Sequence, residues 1–212
     1  MRGDVILVEE HHRRAAGIIA AHIAPAIRET PRRYTVTVAG ESGSGKSETA
    51  QALAESLAEL GITCGIYQQD DYFVLPPRSN DARRREGIDW VGVGEVRLDL
   101  LDEHLLAARE GAHEVRKPLV LYEEDTVVEE TMSLDGLRVL IAEGTYCTTL
   151  RHADTRIFIA RNRLETLAAR EKRAREPMDT FIEDVLKIEH TIISKHRSDA
   201  DIVITRDYEV EV

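Results

Sequence analysis

Apolar residues recur along this chain in two alternating rhythms. Tyr34-Thr-Val-Thr-Val-Ala39 is rich in β-branched residues and runs into Gly40, which predicts a strand. Directly after it, Ala50, Leu53, Leu57 and Leu60 recur at steps of three and four, which predicts an amphipathic helix over 46–60 closed by Gly61. Four more short apolar runs, at 62–67, 137–142, 156–160 and 202–205, read as strands, making five. Helical stripes are predicted over 95–110 (Val96, Leu100, Leu101, Leu105, Leu106) and around Phe181, Val185, Ile188 and Ile192. A further helix over 11–28 carries Ile19, Ile23 and Ile27, with Pro25 weakening its last turn. Residues 74–90 hold Pro76, Pro77, Asn80 and Asp81 with little periodicity and are expected to form a surface loop. Short apolar strands alternating with helices imply an α/β architecture, a mostly parallel five-stranded sheet covered on both faces.

Composition sets the limits of this picture. The 212 residues are one domain's length, with 1–33 as an N-terminal helical extension. The 28 basic and 39 acidic residues leave a formal net charge of −11, which disfavours a nucleic-acid-coating surface. Two cysteines, Cys64 and Cys147, are too few for a disulfide scaffold and fit a reducing compartment. No run approaches the roughly 20 apolar residues of a membrane span, and no secretory signal pattern opens the chain. The cytoplasm is the expected location.

The first strand and helix flank the most informative segment. Gly40-Glu-Ser-Gly-Ser-Gly-Lys46-Ser47 fits G-x-x-x-x-G-K-[ST] in its required strand–loop–helix setting. Its glycines allow backbone N–H groups to turn inward at a positive helix end, a cradle for phosphates. Gly40, Ser42, Gly43, Ser44, Gly45, Lys46, Ser47 and Glu48 are the expected nucleotide-binding residues. Lys46 is expected to reach the β- and γ-phosphates and the Ser47 hydroxyl to ligate Mg²⁺. The fold class is therefore a three-layer P-loop NTPase fold. A GTPase would carry an N/T-K-x-D segment, which is absent, and the strand at 137–142 ends in Glu143-Gly144 rather than the Asp-Glu pair of motor ATPases. A small-molecule or nucleotide kinase remains.

Phosphoryl transfer to a hydroxyl needs a carboxylate to accept the proton and align the oxygen. Asp70, just past the second strand at the carboxyl edge where open α/β sheets bind ligands, is the candidate base, and it stands beside Asp71. A competing use of such an Asp is to cap a turn. Charge developing on the transferred phosphoryl calls for guanidinium donors, and Arg161, Arg163, Arg170, Arg173 and Arg175 form a basic cluster in an acidic chain. Arg170 and Arg173 are the candidates for a catalytic lid over about 161–177.

Four segments together, Gly40–Ser47, Gln69-Asp-Asp-Tyr-Phe73, Ile141-Ala-Glu-Gly144 and Arg170-Glu-Lys-Arg173-Ala-Arg175, resemble the uridine kinase and phosphoribulokinase superfamily. The second is also similar to the Q-D-D-F-F of nicotinamide riboside kinases. The resemblance covers about 34–205 and implies ATP- and Mg²⁺-dependent phosphate transfer to a hydroxyl of a small, nucleoside or ribose-type molecule. It implies Asp70 as base, Asp70, Tyr72, Tyr122 and Glu143 on the substrate side, Ser47, Asp70 and Glu143 around Mg²⁺, and a lid bearing Arg170 and Arg173. The pyrimidine-reading P-x-Y-D-F-x-x-H of uridine kinases is matched loosely by Pro118–Asp125, and no His follows. The other class weighed is an ATP-binding regulatory or assembly protein with slow hydrolysis. Trp90 is expected to pack, Arg83-Arg84-Arg85 to be solvated or to meet a phosphorylated acceptor, and both cysteines to be inert. No nucleic-acid or membrane partner is expected, and a homo-oligomer is compatible with the resemblance.

Overall fold

The computed structural model describes residues 1–3, 6–161 and 180–212. Its elements run α1 (Glu10–Glu29), β1 (Tyr34–Gly40), α2 (Lys46–Glu59), β2 (Cys64–Gln68), α3 (Pro77–Glu86), α4 (Leu98–Arg109), β3 (Glu114–Leu121), β4 (Thr126–Ser133), β5 (Val139–Glu143), β6 (Thr155–Ile159), α5 (Thr180–Ile193), β7 (Ile202–Ile204) and β8 (Val210–Glu211). The main sheet has the order β2-β5-β1-β6-β7-β8, parallel except for the β7–β8 pair.

All five expected strands are present, and the sheet has six, because β8 adds an antiparallel edge too short to show a pattern of its own. Side-chain alternation sorts β1 and β5 into two cores. Val36, Val38, Val139 and Ile141 face α1 and α2, while Ala39, Leu140 and Ala142 face α4, Tyr72 and Tyr146. Three layers follow directly. Helix α1 lays Ile19, Ile23 and Ile27 into the first core, and Ile19→Ala there costs about 3 kcal/mol. Pro25 lies within α1 on its exposed face, where the helix passes through it.

One expectation fails between β2 and β5, and one element there was not anticipated. The segment expected as a loop contains α3, begun by Pro77 in its first turn. Its buried positions are Asn80 and Arg84, four residues apart, so its inward stripe is polar and invisible to hydrophobic periodicity. The second miss is the two-stranded antiparallel sheet β3–β4, paired from Glu114↔Ser133 to Leu121↔Thr126. Lys117 occupies a buried slot of β3 and Pro118 follows it, which hides the strand pattern.

Candidate functional site

Strand register builds the site. Glu143, the last residue of β5, pairs with Val38 of β1 on one side and Gln68 of β2 on the other. The loop after β1, the turn after β2 and the end of β5 therefore open at one edge of the sheet, at the carboxyl ends of its parallel strands.

On the first of these, Gly43 and Gly45 take positive φ of 76° and 96°, a path that side chains disfavour. Gly45 caps α2, whose first turn begins at Lys46. Lys46 Nζ donates to the Glu41 carbonyl at 3.0 Å, lying across the loop, and Ser47 Oγ donates to Glu143 Oε1 at 3.0 Å. Ser44 Oγ is buried within the loop with no partner among the described residues. Glu48 is buried on the far side of the turn, close enough to His12 to oppose the lowering of its pKa.

After β2 the chain makes a 3-10 turn, Gln69–Tyr72, that sends its side chains in different directions. Gln69 is buried and its Oε1 accepts the Tyr146 N–H at 2.7 Å. Asp71 is buried too: Oδ2 accepts from Lys117 Nζ at 2.9 Å and Oδ1 from the Val120 N–H at 3.0 Å, while Lys117 also reaches Glu130 at 2.7 Å. Asp71 thus fastens the β3–β4 hairpin to the sheet. Tyr72, expected on the substrate side, is corrected to a core residue, fully buried with its hydroxyl 2.8 Å from His104 Nδ1. Asp70 alone of the four is half-buried. Its charge raises the pKa of Glu143, which places the two carboxylates in one electrostatic environment.

Glu143 has the most informative titration in the site. Burial, then the Asp70 charge, push its carboxyl up to about 7, against the opposing pull of Lys46 and the Ser47 hydrogen bond. A buried carboxyl poised near neutrality beside a hydroxyl, a lysine and a second carboxylate suits a divalent cation. Ser47, Glu143 and Asp70 could supply the hard oxygens that Mg²⁺ prefers.

Beyond the loop, a second feature is a buried ionic cluster that sequence patterns did not reveal. Arg84 Nε meets Glu95 Oε2 at 2.5 Å, Arg84 Nη2 meets Glu95 Oε1 at 3.1 Å and Glu189 Oε1 at 3.2 Å, and Asn80 Nδ2 donates to Glu95 at 2.7 Å. Trp90 packs as expected, its Nε1–H on Asn80 Oδ1 at 2.9 Å with the Arg83 guanidinium over its ring. Arg85 pairs with Asp81 and lies 4.7 Å from the Phe181 ring centroid. Of the three arginines expected to be solvated or to meet a phosphorylated acceptor, Arg84 is buried, while Arg83 and Arg85 are exposed. Tyr122 heads the hairpin turn, half-buried. Cys64 is half-buried and Cys147 fully buried, and burial drives both thiols up, Cys64 to about 12. Arg161 stands over the Tyr208 ring at 5.3 Å, while Arg163, Arg170, Arg173, Arg175 and most of the expected lid lie outside the described residues. No helix among the described residues is long and apolar enough to cross a membrane.

A glycine-rich phosphate loop with its Lys-Ser pair, set against carboxylates at the carboxyl edge of a mostly parallel sheet, defines a P-loop kinase of small molecules. The model of the Phosphoribulokinase / Uridine kinase family matches residues 35–206, and the chain belongs to that family. The bifunctional alpha-galactosidase/sucrose kinase AgaSK of Mediterraneibacter gnavus is 27% identical over 189 residues, which is 82% of this chain and only 20% of that much longer protein. Among solved structures, a proposed fructose transport system kinase from Silicibacter sp. TM1040 is similar with a TM-score of 0.63 at 18% identity, covering 87% of this chain and 94% of that one. A proposed uridine kinase from Bacillus stearothermophilus gives 0.62 at 20% identity over 90% and 97% of the two chains. D-glycerate 3-kinase from Cryptococcus neoformans gives 0.61 at 14% identity over 96% and 99%. At these identities the structural likeness establishes the fold.

Proposed function

We propose that this chain is an ATP- and Mg²⁺-dependent kinase that phosphorylates a hydroxyl of a small carbohydrate-type molecule. The observation that carries the reading is the meeting of Lys46, Ser47, Glu143 and Asp70 at one sheet edge. The loop from Gly40 to Ser47 holds the phosphates with backbone N–H groups, and Lys46 neutralises the charge that develops on the transferred group. Asp70 orients the acceptor hydroxyl and accepts its proton. Ser47 and Glu143, with Asp70 nearby, would hold Mg²⁺, which would draw charge from the phosphate oxygens when bound.

The acceptor class draws on two supports. Similar proteins are named for sucrose, fructose transport and glycerate, and the His that follows the pyrimidine-reading segment of uridine kinases is missing here. Within the Arg83-Arg84-Arg85 run, Arg84 is buried against Glu95 and Glu189, while Arg83 and Arg85 stay exposed beside Glu86 and Asp81. A nucleoside acceptor is the second reading, favoured by the likeness to a proposed uridine kinase.

ADP release from Mg·ATP, measured over sugars, sugar acids, sugar phosphates and nucleosides, tests both. Turnover stimulated by a sugar or sugar acid is the expected result. Stimulation confined to nucleosides overturns the acceptor class, and equal hydrolysis with and without every acceptor overturns kinase activity in favour of a nucleotide switch.

A further inference from the structure

Helix α1 and the β7–β8 turn meet on the outer side of the phosphate loop. Tyr208, at the tip of that turn with φ of +61°, is 4% exposed, and His12, in the first turn of α1, is 5% exposed. Three hydrogen bonds run in series through them. The Glu9 N–H donates to His12 Nδ1 at 3.0 Å, His12 Nε2 lies 3.1 Å from Tyr208 Oη, and Tyr208 Oη donates to the Ser44 carbonyl at 2.7 Å.

The partners assign every proton. A carbonyl only accepts, so the Tyr208 O–H proton belongs to Ser44. His12 Nε2 must then be the donor to Tyr208 Oη, and Nδ1, facing an N–H, must carry the lone pair. His12 is held as one neutral tautomer. Its environment agrees: burial, then the neighbouring His11, lower its pKa to about 4, with Arg161 adding to them and Glu48 and Glu9 opposing.

The last bond acts on the loop itself. In a trans peptide the C=O and the following N–H point in opposite directions, and no peptide in the described chain is cis. Pinning the Ser44 carbonyl outward therefore turns the Gly45 N–H inward, toward the phosphate cradle. Gly45 leaves no room for adjustment, because a Cβ there would fall on the Tyr208 hydroxyl and within 2.8 Å of His12 Nε2.

We propose that His12 and Tyr208 are positioning residues for the phosphate loop, so that the N-terminal helix and the β7–β8 turn belong to the nucleotide site and set nucleotide affinity. The inference rests on the nucleotide-binding part of the function proposed above. It is tested by Mg·ATP binding measured calorimetrically without acceptor, alongside steady-state kinetics. Tyr208→Phe keeps the ring that His11 approaches at 4.2 Å and removes only the hydroxyl. It is expected to weaken Mg·ATP binding about tenfold, raising the ATP KM in step, while kcat at saturating ATP and the acceptor KM change less than threefold. His12→Leu should match it, His12→Gln, which keeps a donor at the Nε2 position, should recover most of the affinity, and the double variant Tyr208→Phe/His12→Leu should be no worse than either single one. Tyr208→Phe and His12→Leu proteins that bind Mg·ATP as the wild type does overturn the proposal and leave the kinase reading standing. Nucleotide and acceptor constants that worsen together, with a lowered melting temperature, also overturn it, since that marks a merely structural role. A wild type that fails to bind Mg·ATP removes both readings. Should Tyr208→Phe not fold, the same measurements on His12→Leu decide.

Discussion

The phosphate-loop region and the region of α3 and the β3–β4 hairpin are built by different means. From β1 into α2, the loop region is made by neighbours in sequence, with positive-φ glycines, a helix N-terminus and a Lys-Ser pair within eight residues. The α3 and hairpin region is assembled between separate elements by buried charge: Asp71 with Lys117, and Arg84 with Glu95 and Glu189. A loop of the first kind can lose its chemistry without losing the fold. A region of the second kind holds charges out of water, so breaking one pair threatens stability first.

Lys46→Ala should show the largest effect and the first half of that contrast. Its kcat/KM is expected to fall at least about 10³-fold while the melting temperature stays near that of the wild type. Arg84→Ala should show the second half, leaving the fully buried Glu95 carboxylate without its cation. A loss of about 3–5 kcal/mol in urea unfolding is expected, with Mg·ATP binding by the surviving folded fraction little changed. If Arg84→Ala unfolded no more easily than the wild type, the ionic cluster would not be what holds α3 in place.

Glu143 lies where the two regions meet, and its titration sharpens the boundary. Its carboxyl is raised from 4.5 to about 7 in the folded protein, so between those values the folded state binds the extra proton. Stability of the metal-free protein should therefore fall as pH rises through that window and level off above it. Glu143→Gln should flatten that slope and, without metal, be about 1–3 kcal/mol more stable than the wild type at pH 8. A wild-type profile that rises from pH 5 to 7 and is unaffected by Glu143→Gln would contradict the assignment. The smallest effect is expected from Trp90→Phe, which removes the hydrogen bond to Asn80 and should cost about 1 kcal/mol with the ATP KM unchanged.

How much could be read from the chain follows the same division. The five parallel strands, the glycine loop and the position of Asp70 and Glu143 at the sheet edge were legible because hydrophobic period, glycine spacing and strand ends are local signals. Helix α3 was not, because its inward residues are the polar Asn80 and Arg84, whose burial is made tolerable by partners outside the helix, Glu95, Glu189 and Trp90 among them. The hairpin was hidden by Lys117, a charged residue in a core position whose partners lie before it at Asp71 and after it at Glu130. Tyr72 was misplaced for a related reason. Its motif neighbours suggested the substrate side, but a four-residue 3-10 turn rotates it into the core toward His104. The contact of the N-terminal helix with the β7–β8 turn was not legible, since nothing near His12 in sequence announces Tyr208, 196 residues away.

The central claim is that Asp70 activates the acceptor hydroxyl beside a phosphate loop that works independently of it. Single-turnover phosphoryl transfer by Asp70→Asn, at saturating Mg·ATP and with the acceptor found by the screen, tests this most directly. The account predicts transfer slowed at least about 10²-fold, with Mg·ATP affinity and melting temperature close to those of the wild type. Transfer at the wild-type rate would contradict it.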